Sequence, residues 1–267
     1  MFESRAPADT DDAKHDAMPT MGFLDHLEEL RTRLVYSIAA VAVGFFACWW
    51  KVEAIYEVMQ RPIVKALKEN GMSEKLVYLN PTEPFNLYLK IAALAGLFLT
   101  SPFVLYQVWM FISPGLYRNE KRYVVPFMVS TIALFTAGGY FGFKVVYPQA
   151  LGFLIHFGRQ FQPMITIGEY TSLFLSIILG MGLIFEMPIL IFFLALMGII
   201  TAGFMWKNFR YAILLIFIIA AIVTPTPDVL NMCIFAAPMI GLYVVSIGIA
   251  YAVHPKQRLA RKEKKAA

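Results

Sequence analysis

Two carboxylates, each beside a long apolar stretch, are the best candidates for binding chemistry in this chain. Glu29 lies in the segment H-L-E-E-L-R-T-R at 26–33, and Glu120 lies in the charged break 117–122. A carboxylate accepts two parallel hydrogen bonds from a guanidinium group, which is planar and permanently charged. If both positions lie on one face of a membrane, the pair can hold a ligand that carries two basic groups.

Each acid also has a purely structural explanation. Glu29 can pair with Arg33 four residues on, and Glu28 with Arg31 three residues on, each pair contributing roughly a few tenths of a kcal/mol. Glu120 can favour the start of the following helix through the helix macrodipole. The residues by themselves therefore leave ligand binding and helix stabilisation open.

Glu186 is the one charged side chain inside the long apolar stretches, apart from their flanks. A carboxylate in hydrocarbon is costly, so it faces other helices or water, takes up a proton, or meets a polar partner. Three roles stay open for it: a structural hydrogen bond to a neighbouring helix, a proton site, or a docking point for a polar residue of a partner helix.

Catalytic and metal-binding patterns are absent from the sequence. It contains no H-E-x-x-H, no G-x-S-x-G, no P-loop and no Cys/His cluster with metal spacing. The cysteines Cys48 and Cys233 lie in apolar stretches, where we interpret them as packing residues. An intramembrane aspartyl protease needs two facing acids, and the apolar stretches contain one. We therefore expect no enzyme activity, no cofactor and no metal.

Six apolar stretches must position these side chains. A helix needs ~20 mostly apolar residues to cross a hydrocarbon core about 30 Å thick, and a spanning segment must satisfy its own backbone. The stretches are apolar on every face, unlike barrel strands. The sequence predicts an all-α membrane protein with a six-helix transmembrane domain over residues 21–253, between a polar tail 1–20 and a basic tail 254–267. The predicted spans are 34–50, 91–113, 123–145, 170–199, 210–224 and 229–251.

The connections and span lengths carry further expectations. Fourteen residues separate Arg210 from Pro225, about 21 Å of helix, so the fifth span should be short. The fourth stretch is too long for an upright helix, and it should tilt, bend at Pro188, or project beyond one face. The first outer loop, 51–88, has apolar residues at helical spacing interrupted by Pro62, which predicts short amphipathic helices on the outer surface.

Lysine and arginine predict which way the loops face. With six spans and both termini inside, fifteen basic residues face the cytoplasm and eight face outward, although the first outer loop alone holds six of these eight. The tail 254–267 carries six Lys or Arg against one Glu, which at a membrane edge favours anionic lipid over nucleic acid. The first thirty residues are acidic and polar, so we expect no cleaved signal peptide.

Several ordered motifs over residues 20–253 resemble those of the TatC family, the multi-spanning core component of the twin-arginine protein translocase. The most specific is S-P-F-V-L-Y-Q-V-W-M-F-I-S-P-G-L-Y at 101–117. The others are H-L-E-E-L-R-T-R-L at 26–34, E-K-R at 120–122, V-P at 125–126, F-E-M-P at 185–188 and T-P-T-P-D at 224–228.

The resemblance implies a site for signal peptides at the cytoplasmic face. Glu29 and Glu120 match the acids that clasp the paired arginines, and Phe111 matches an aromatic residue near them. Arg31 belongs to the same N-terminal signature and is assigned to this site. Glu186 matches an intramembrane acid on the concave side of a glove-like bundle whose last two spans are short.

The resemblance also implies partners and a location. Pro62 and Asp228 match outer-loop positions that are important for assembly. The implied function is a receptor and translocon subunit that binds twin-arginine signal peptides of folded cargo, recruits TatA-like and TatB-like single-span subunits, and supports export driven by the proton-motive force. The implied location is the bacterial cytoplasmic (inner) membrane, with both termini cytoplasmic and with further copies of the chain in the receptor complex.

Two other functions remain as alternatives. A proton-coupled secondary transporter for small solutes would use Glu186 as a proton relay, although the sequence shows no internal repeat of the kind that many transporters have. A membrane scaffold would use Glu29 and Glu120 only to stabilise helices, so neutral substitutions at these positions would change nothing measurable.

Overall fold

Helices make up nearly all of the chain that the structure describes. The computed structural model describes residues 23–71, 76–112, 124–158, 160–161, 164–223 and 229–253. In chain order the elements are α1 (Phe23–Trp49), α2 (Val52–Glu69), α3 (Glu83–Ile112), α4 (Val124–Phe141), a π-helical segment (Gly142–Val146), α5 (Tyr147–Phe157), α6 (Ile167–Ile184), α7 (Met187–Leu196), α8 (Ala202–Lys207), α9 (Phe209–Val223) and α10 (Val229–Val253).

Within the described chain, five helical stretches are long and apolar enough to cross a membrane, and a sixth is shorter. Lipid offers no hydrogen-bond partner to the backbone, so long apolar helices are the expected spanning elements. The predicted all-α, multi-span membrane protein is thereby confirmed. The five long stretches are Asp25–Trp49, Glu83–Ile112, Val125–Phe157, Ile167–Leu196 and Met232–Ala252, and the shorter one is Phe209–Ile222.

The first two spans, α1 and α3, run antiparallel. Arg33, in the first half of α1, donates a hydrogen bond to Gln107 near the end of α3. At the other end of the pair, Trp49 contacts Phe85 at the start of α3, with 6.0 Å between ring centroids. We call the end of the bundle at which α1 begins the N-terminal side, and the opposite end, where α2 lies, the α2 side.

The last two spans differ in length, so the expectation that both are short is wrong for the sixth. α9 has 15 residues, or about 22 Å of helix, which falls below the ~30 Å hydrocarbon core. α10 has 25 residues, or about 37 Å. It continues through Pro238 because a proline inside a spanning helix is tolerated when neighbouring groups satisfy the freed carbonyl. Only α9 therefore requires a thinner bilayer or the cover of neighbouring helices.

The third span continues well past residue 145, the boundary expected from the sequence. α4, the π-helical segment and α5 form one helical run to Phe157. The π-helical segment ends at Val146, two residues before Pro148. The missing N–H of this proline therefore falls where the hydrogen-bonding register has already changed, and the helix continues. The helical turns beyond residue 145 form α5, which packs against α2.

The fourth long stretch is broken, and the break lies at Glu186. α6 ends at Ile184, and α7 begins at Met187, with Pro188 in its first turn. Pro188 has no N–H to donate to the carbonyl of Ile184, so the helical ladder is interrupted there. Phe185 and Glu186 form the turn between the two helices. The helix is therefore interrupted beside Pro188, the position of the bend that was one of three expectations for this stretch.

In the segment 51–88, which was expected to form the first outer loop, α2 is one continuous helix where several short ones were expected. Pro62 lies inside α2 without breaking it. The carbonyl that this proline leaves without a helical donor belongs to Val58, which is exposed, so water can reach it. The opposite face of α2 is buried, with Met59, Ile63 and Leu67 in the main hydrophobic core. The gain from burying this face keeps the helix whole.

Two long-range connections fasten α2 and its loop to the bundle. The hydroxyl of Tyr170 on α6 donates a hydrogen bond of 2.9 Å to the carbonyl of Met59. Farther along, the N–H of Val77 donates to the carbonyl of Ile165, and Val77 accepts a bond from the N–H of Ile167. The segment that follows α2 therefore pairs with the segment that precedes α6.

Two glycines allow α1 and α3 to touch backbone to backbone. A Cβ placed on Gly96 would lie 2.6 Å from the backbone nitrogen of Phe45 and 2.8 Å from the carbonyl carbon of Gly44. A Cβ on Gly44 would lie 2.7 Å from the carbonyl oxygen of Gly96. Small residues at such crossings let spanning helices approach closely, and van der Waals packing then stabilises the pair.

We predict that Gly96→Ala separates α1 from α3 and lowers the free energy of unfolding by about 1–3 kcal/mol, the usual range for overpacking. Thermal unfolding of the purified protein in detergent measures this effect. Gly248→Ala on α10 is the matched control, because nothing lies within 4 Å of a Cβ placed there. Equal melting temperatures for the two variants would contradict the proposed close contact.

Candidate functional site

The candidate site at the N-terminal side is built on an ion pair within α1. Nη2 of Arg33 donates a hydrogen bond to Oε1 of Glu29, with 3.4 Å between the two heavy atoms. The two residues are four apart, so one helical turn places their side chains together. This is the structural pairing that the sequence allowed for Glu29. Both side chains are largely covered, with exposed fractions of 18% for Glu29 and 26% for Arg33.

The same arginine reaches across to α3. Its Nη1 donates a hydrogen bond of 3.0 Å to Oε1 of Gln107. Gln107 is buried, with 5% of its surface exposed. Arg33 is thus held by an acid on its own helix and an amide on the neighbouring helix. Neither Gln107 nor Arg33 was among the site residues expected from the sequence.

Glu29 keeps one oxygen unused. Its Oε2 is buried and has no hydrogen-bond partner among the described residues. A buried carboxylate oxygen without a donor is costly, and the cost is recovered when a donor arrives. An N–H donor that reached Oε2 would recover this cost.

An aromatic pair lies beside this acceptor. The ring of Phe111, near the end of α3, stacks on the imidazole of His26 in the first turn of α1, with 4.3 Å between centroids and 12° between planes. Phe111 follows Gln107 by one helical turn, so both contact α1 on the same side of α3. Phe111 thus contacts a residue that lies one turn before Glu29 on α1, and His26 joins the cluster through this stacking. The signal for His26 was its position one turn before Glu29.

Among the described residues, Arg31 is not joined to this cluster by a hydrogen bond or an ion pair. Arg31 lies on the exposed part of α1, and Glu28 is exposed as well. The ion pairs among the described residues are Arg33–Glu29 and Lys65–Glu69, so the Glu28–Arg31 pair that the sequence allowed is not formed. Glu120 and Asp228 lie outside the described residues.

Glu186 occupies the turn between α6 and α7. Its Oε1 is buried and has no hydrogen-bond partner among the described residues. The adjacent Phe185 packs against Phe141, with 5.5 Å between centroids, so apolar rings flank the acid on one side. Pro62 lies on the α2 side and is half-buried in the middle of α2. The structure therefore separates Glu29, Glu186 and Pro62 into three distinct locations.

No group of three or more His, Cys, Asp or Glu side chains among the described residues is arranged to hold a metal ion. The N-terminal side instead presents a carboxylate, a buried amide and two stacked rings. This set can accept hydrogen bonds from a cation and pack against its flat face. The described residues of the cluster include neither a nucleophile paired with a base nor the second acid that intramembrane proteolysis needs.

The model of the family described as Sec-independent protein translocase protein (TatC) matches residues 25–238. The chain belongs to the TatC family. A TatC protein of Koribacter versatilis is 64% identical over 248 residues, which cover 93% of this chain and 92% of the relative. TatC proteins of Carboxydothermus hydrogenoformans and Aquifex aeolicus are 40% and 35% identical, over 89% and 91% of this chain and 96% and 100% of their own lengths.

A solved structure shows the same fold as this TatC-family chain. The crystal structure of a twin-arginine translocase receptor, TatC, superposes with a TM-score of 0.75 at 35% identity, covering 84% of this chain and 97% of that one. A second crystal structure of the receptor, in the detergent DDM, gives a TM-score of 0.77. Membership places the chain among the multi-pass membrane proteins of protein transport and not among the enzymes.

We predict that Glu186→Gln leaves the free energy of unfolding unchanged or raises it by up to roughly 2 kcal/mol, because an amide is less costly to bury than a carboxylate. Unfolding in detergent, followed by fluorescence or calorimetry, measures this change. Glu169→Gln on the exposed first turn of α6 is the matched control. A clear loss of stability in the Glu186 variant would show that this acid makes a structural hydrogen bond.

Proposed function

We propose that this chain is the core receptor and translocon subunit of a twin-arginine translocation system. It binds the twin-arginine signal peptides of folded precursor proteins at the cytoplasmic face and assembles with TatA-type and TatB-type subunits for export driven by the proton-motive force. Family membership supports the general role. The observation that carries the binding role is that Oε2 of Glu29, at the start of the first span, is buried and has no hydrogen-bond partner among the described residues.

The chemistry of an arginine pair fits this observation. A guanidinium group presents five N–H donors in one plane, and a charge-assisted hydrogen bond to a carboxylate is among the strongest in proteins. Glu29 lies at the start of a spanning helix, near the headgroup level, where the dielectric is lower than in water and the attraction is stronger. Phe111 lies within the same cluster and can cover one face of an arginine.

Glu120 is proposed as the second acid of the site. It belongs to the connection between α3 and α4, and Phe111 lies near the end of α3. A connection that leaves α3 at this point starts on the N-terminal side, where Glu29 also lies. Arg31, exposed on the adjacent turn of α1, is proposed to contact the polar backbone or an acidic residue of the signal peptide.

We further propose that both termini are cytoplasmic in a bacterial inner membrane. The excess of basic residues in the loops assigned to the inside supports this orientation. It places the cluster around Glu29 on the cytoplasmic side and α2 on the outer side. The basic tail 254–267 then lies beside anionic headgroups, to which it is proposed to bind.

The remaining positions are proposed to serve assembly. Glu186 would dock a polar residue of a TatA-like or TatB-like span on the concave side of a glove-like bundle, since its buried Oε1 has no hydrogen-bond partner among the described residues. Pro62 and Asp228 would act at contacts on the outer side, including contacts with further copies of the chain. The same open oxygen of Glu186 favours the alternative function, a proton-coupled small-solute transporter.

Photocrosslinking tests the binding role. The purified chain in detergent is mixed with a signal peptide that carries a photoprobe beside its two arginines, or with the same peptide carrying two lysines. We expect crosslinks near Glu29 and Glu120 with the arginine peptide and their loss with the lysine peptide. Glu29→Gln and Glu120→Gln should each weaken binding about tenfold, since each removes a charge-assisted partner.

The control is Glu53→Gln on the exposed face of α2, which should bind like the unmodified chain. Equal binding by the Glu29→Gln/Glu120→Gln double variant would contradict the site assignment. The absence of crosslinks from either peptide in a folded sample, together with proton-coupled solute uptake by the chain alone, would favour the transporter.

A further inference from the structure

The cluster at the N-terminal side already contains the guanidinium group of Arg33, which could compete with an arginine of a signal peptide for Glu29. Arg33 already contacts Glu29 through Nη2, and it contacts Gln107 through Nη1. We propose that Gln107 is a positioning residue that keeps the site open and selective for arginine, by holding Arg33 to one oxygen of Glu29. This inference rests on the proposed function of the site and names residues that the binding proposal did not include.

The geometry of the Arg33 guanidinium leaves one oxygen of Glu29 uncovered. A guanidinium group that turns both terminal nitrogens to one carboxylate covers both of its oxygens. Here only one terminal nitrogen of Arg33 contacts Glu29, at 3.4 Å, whereas the other donates to Gln107 at the shorter distance of 3.0 Å. The amide thus draws half of the guanidinium away from the acid. Oε2 of Glu29 stays without a donor among the described residues as a consequence.

The burial of Gln107 makes its contact with Arg33 hard to replace. Gln107 is 5% exposed, so water cannot readily replace its carbonyl oxygen as the acceptor for Arg33. Removing that oxygen would leave a charged N–H donor covered and unsatisfied, which is costly. The flexible side chain of Arg33 avoids the cost by turning its free nitrogen onto Oε2 of Glu29, four residues away on the same helix. The acid would then be fully occupied by a group of the chain itself.

The Arg33–Glu29 pair also bears on selectivity between arginine and lysine. Glu29 and Arg33 together carry no net charge, so an approaching cation gains little from charge alone. The gain must come from directed hydrogen bonds, and a planar guanidinium supplies these better than a compact, strongly hydrated ammonium group. Oε2 of Glu29 is one acceptor, and the second lone pair of the Gln107 carbonyl is another. Arg33 therefore makes the site depend on hydrogen-bond geometry as well as on charge.

The experiment compares peptide affinities of variants of the full chain in lipid nanodiscs. The probes are one fluorescent signal peptide with two arginines and the same peptide with two lysines, and thermal unfolding is measured in parallel. Gln107→Leu should weaken arginine-peptide binding about tenfold. Arg33→Gln added to Gln107→Leu should restore binding, because the competing guanidinium is gone. A merely structural role for Gln107 would not produce this rescue.

The single variant Arg33→Gln tests the selectivity of the site for arginine over lysine. It also tests the proposal if Gln107→Leu does not fold. It leaves Glu29 as a net anion with both oxygens open, so lysine-peptide binding should rise and the affinity ratio between the two peptides should fall about tenfold. Gln149→Leu on α5, an exposed glutamine far from the site, is the control for replacing an amide with leucine. It should match the unmodified chain.

The outcomes separate this inference from the proposed function. If the unmodified chain and the Gln149 variant bind neither peptide, or bind both equally, the binding function itself fails. If they prefer the arginine peptide, but Gln107→Leu binds as they do or Arg33→Gln leaves the ratio unchanged, the positioning role is overturned and the binding function stands.

Discussion

The backbone contact between α1 and α3 is the interaction on which the candidate site depends. Gly44 and Gly96 lie so close that a Cβ on either would collide with the backbone of the other helix. This approach lets the side chain of Arg33 reach Gln107, 74 residues away in sequence, with a 3.0 Å hydrogen bond. A wider separation of the helices would break this bond and release Arg33 to Glu29 alone. The small residues in the middle of the pair thereby control the polar chemistry near its end.

The hydrocarbon environment explains where the other polar groups occur. Glu186 lies at the turn between α6 and α7, where Pro188 has already interrupted the helical ladder. The buried hydroxyl of Tyr170 is used to fasten α2 to the bundle through Met59. Polar side chains in spanning helices are costly unless they gain a partner or a function. Tyr170 has a partner within the described chain, whereas Oε1 of Glu186 does not, and it stays available for one.

The sequence predicted several local features correctly because they depend on neighbours along the chain. The pairing of Glu29 with Arg33 follows from helical spacing, and the bend at Pro188 follows from its missing N–H. Two other expectations failed for physical reasons. α2 stays whole through Pro62 because its buried face packs against the bundle, and α10 is not short because its apolar run continues through Pro238. At Pro62, local helix-breaking tendency was overruled by packing, whereas the expectation of a short sixth span came from the resemblance alone.

The sequence by itself determined the class of protein, the approximate spans and the resemblance to TatC, since length, hydropathy and ordered motifs are properties of the chain alone. The tertiary structure decided which side chains meet. In the sequence, Gln107 is one amide in an apolar helix, and only the packing of α1 beside α3 shows that it accepts a hydrogen bond from Arg33. His26 is likewise an ordinary first-turn residue in the sequence, and only the structure shows that Phe111 stacks on it. Contacts across many residues depend on the distance and rotation of packed helices, which no local pattern specifies.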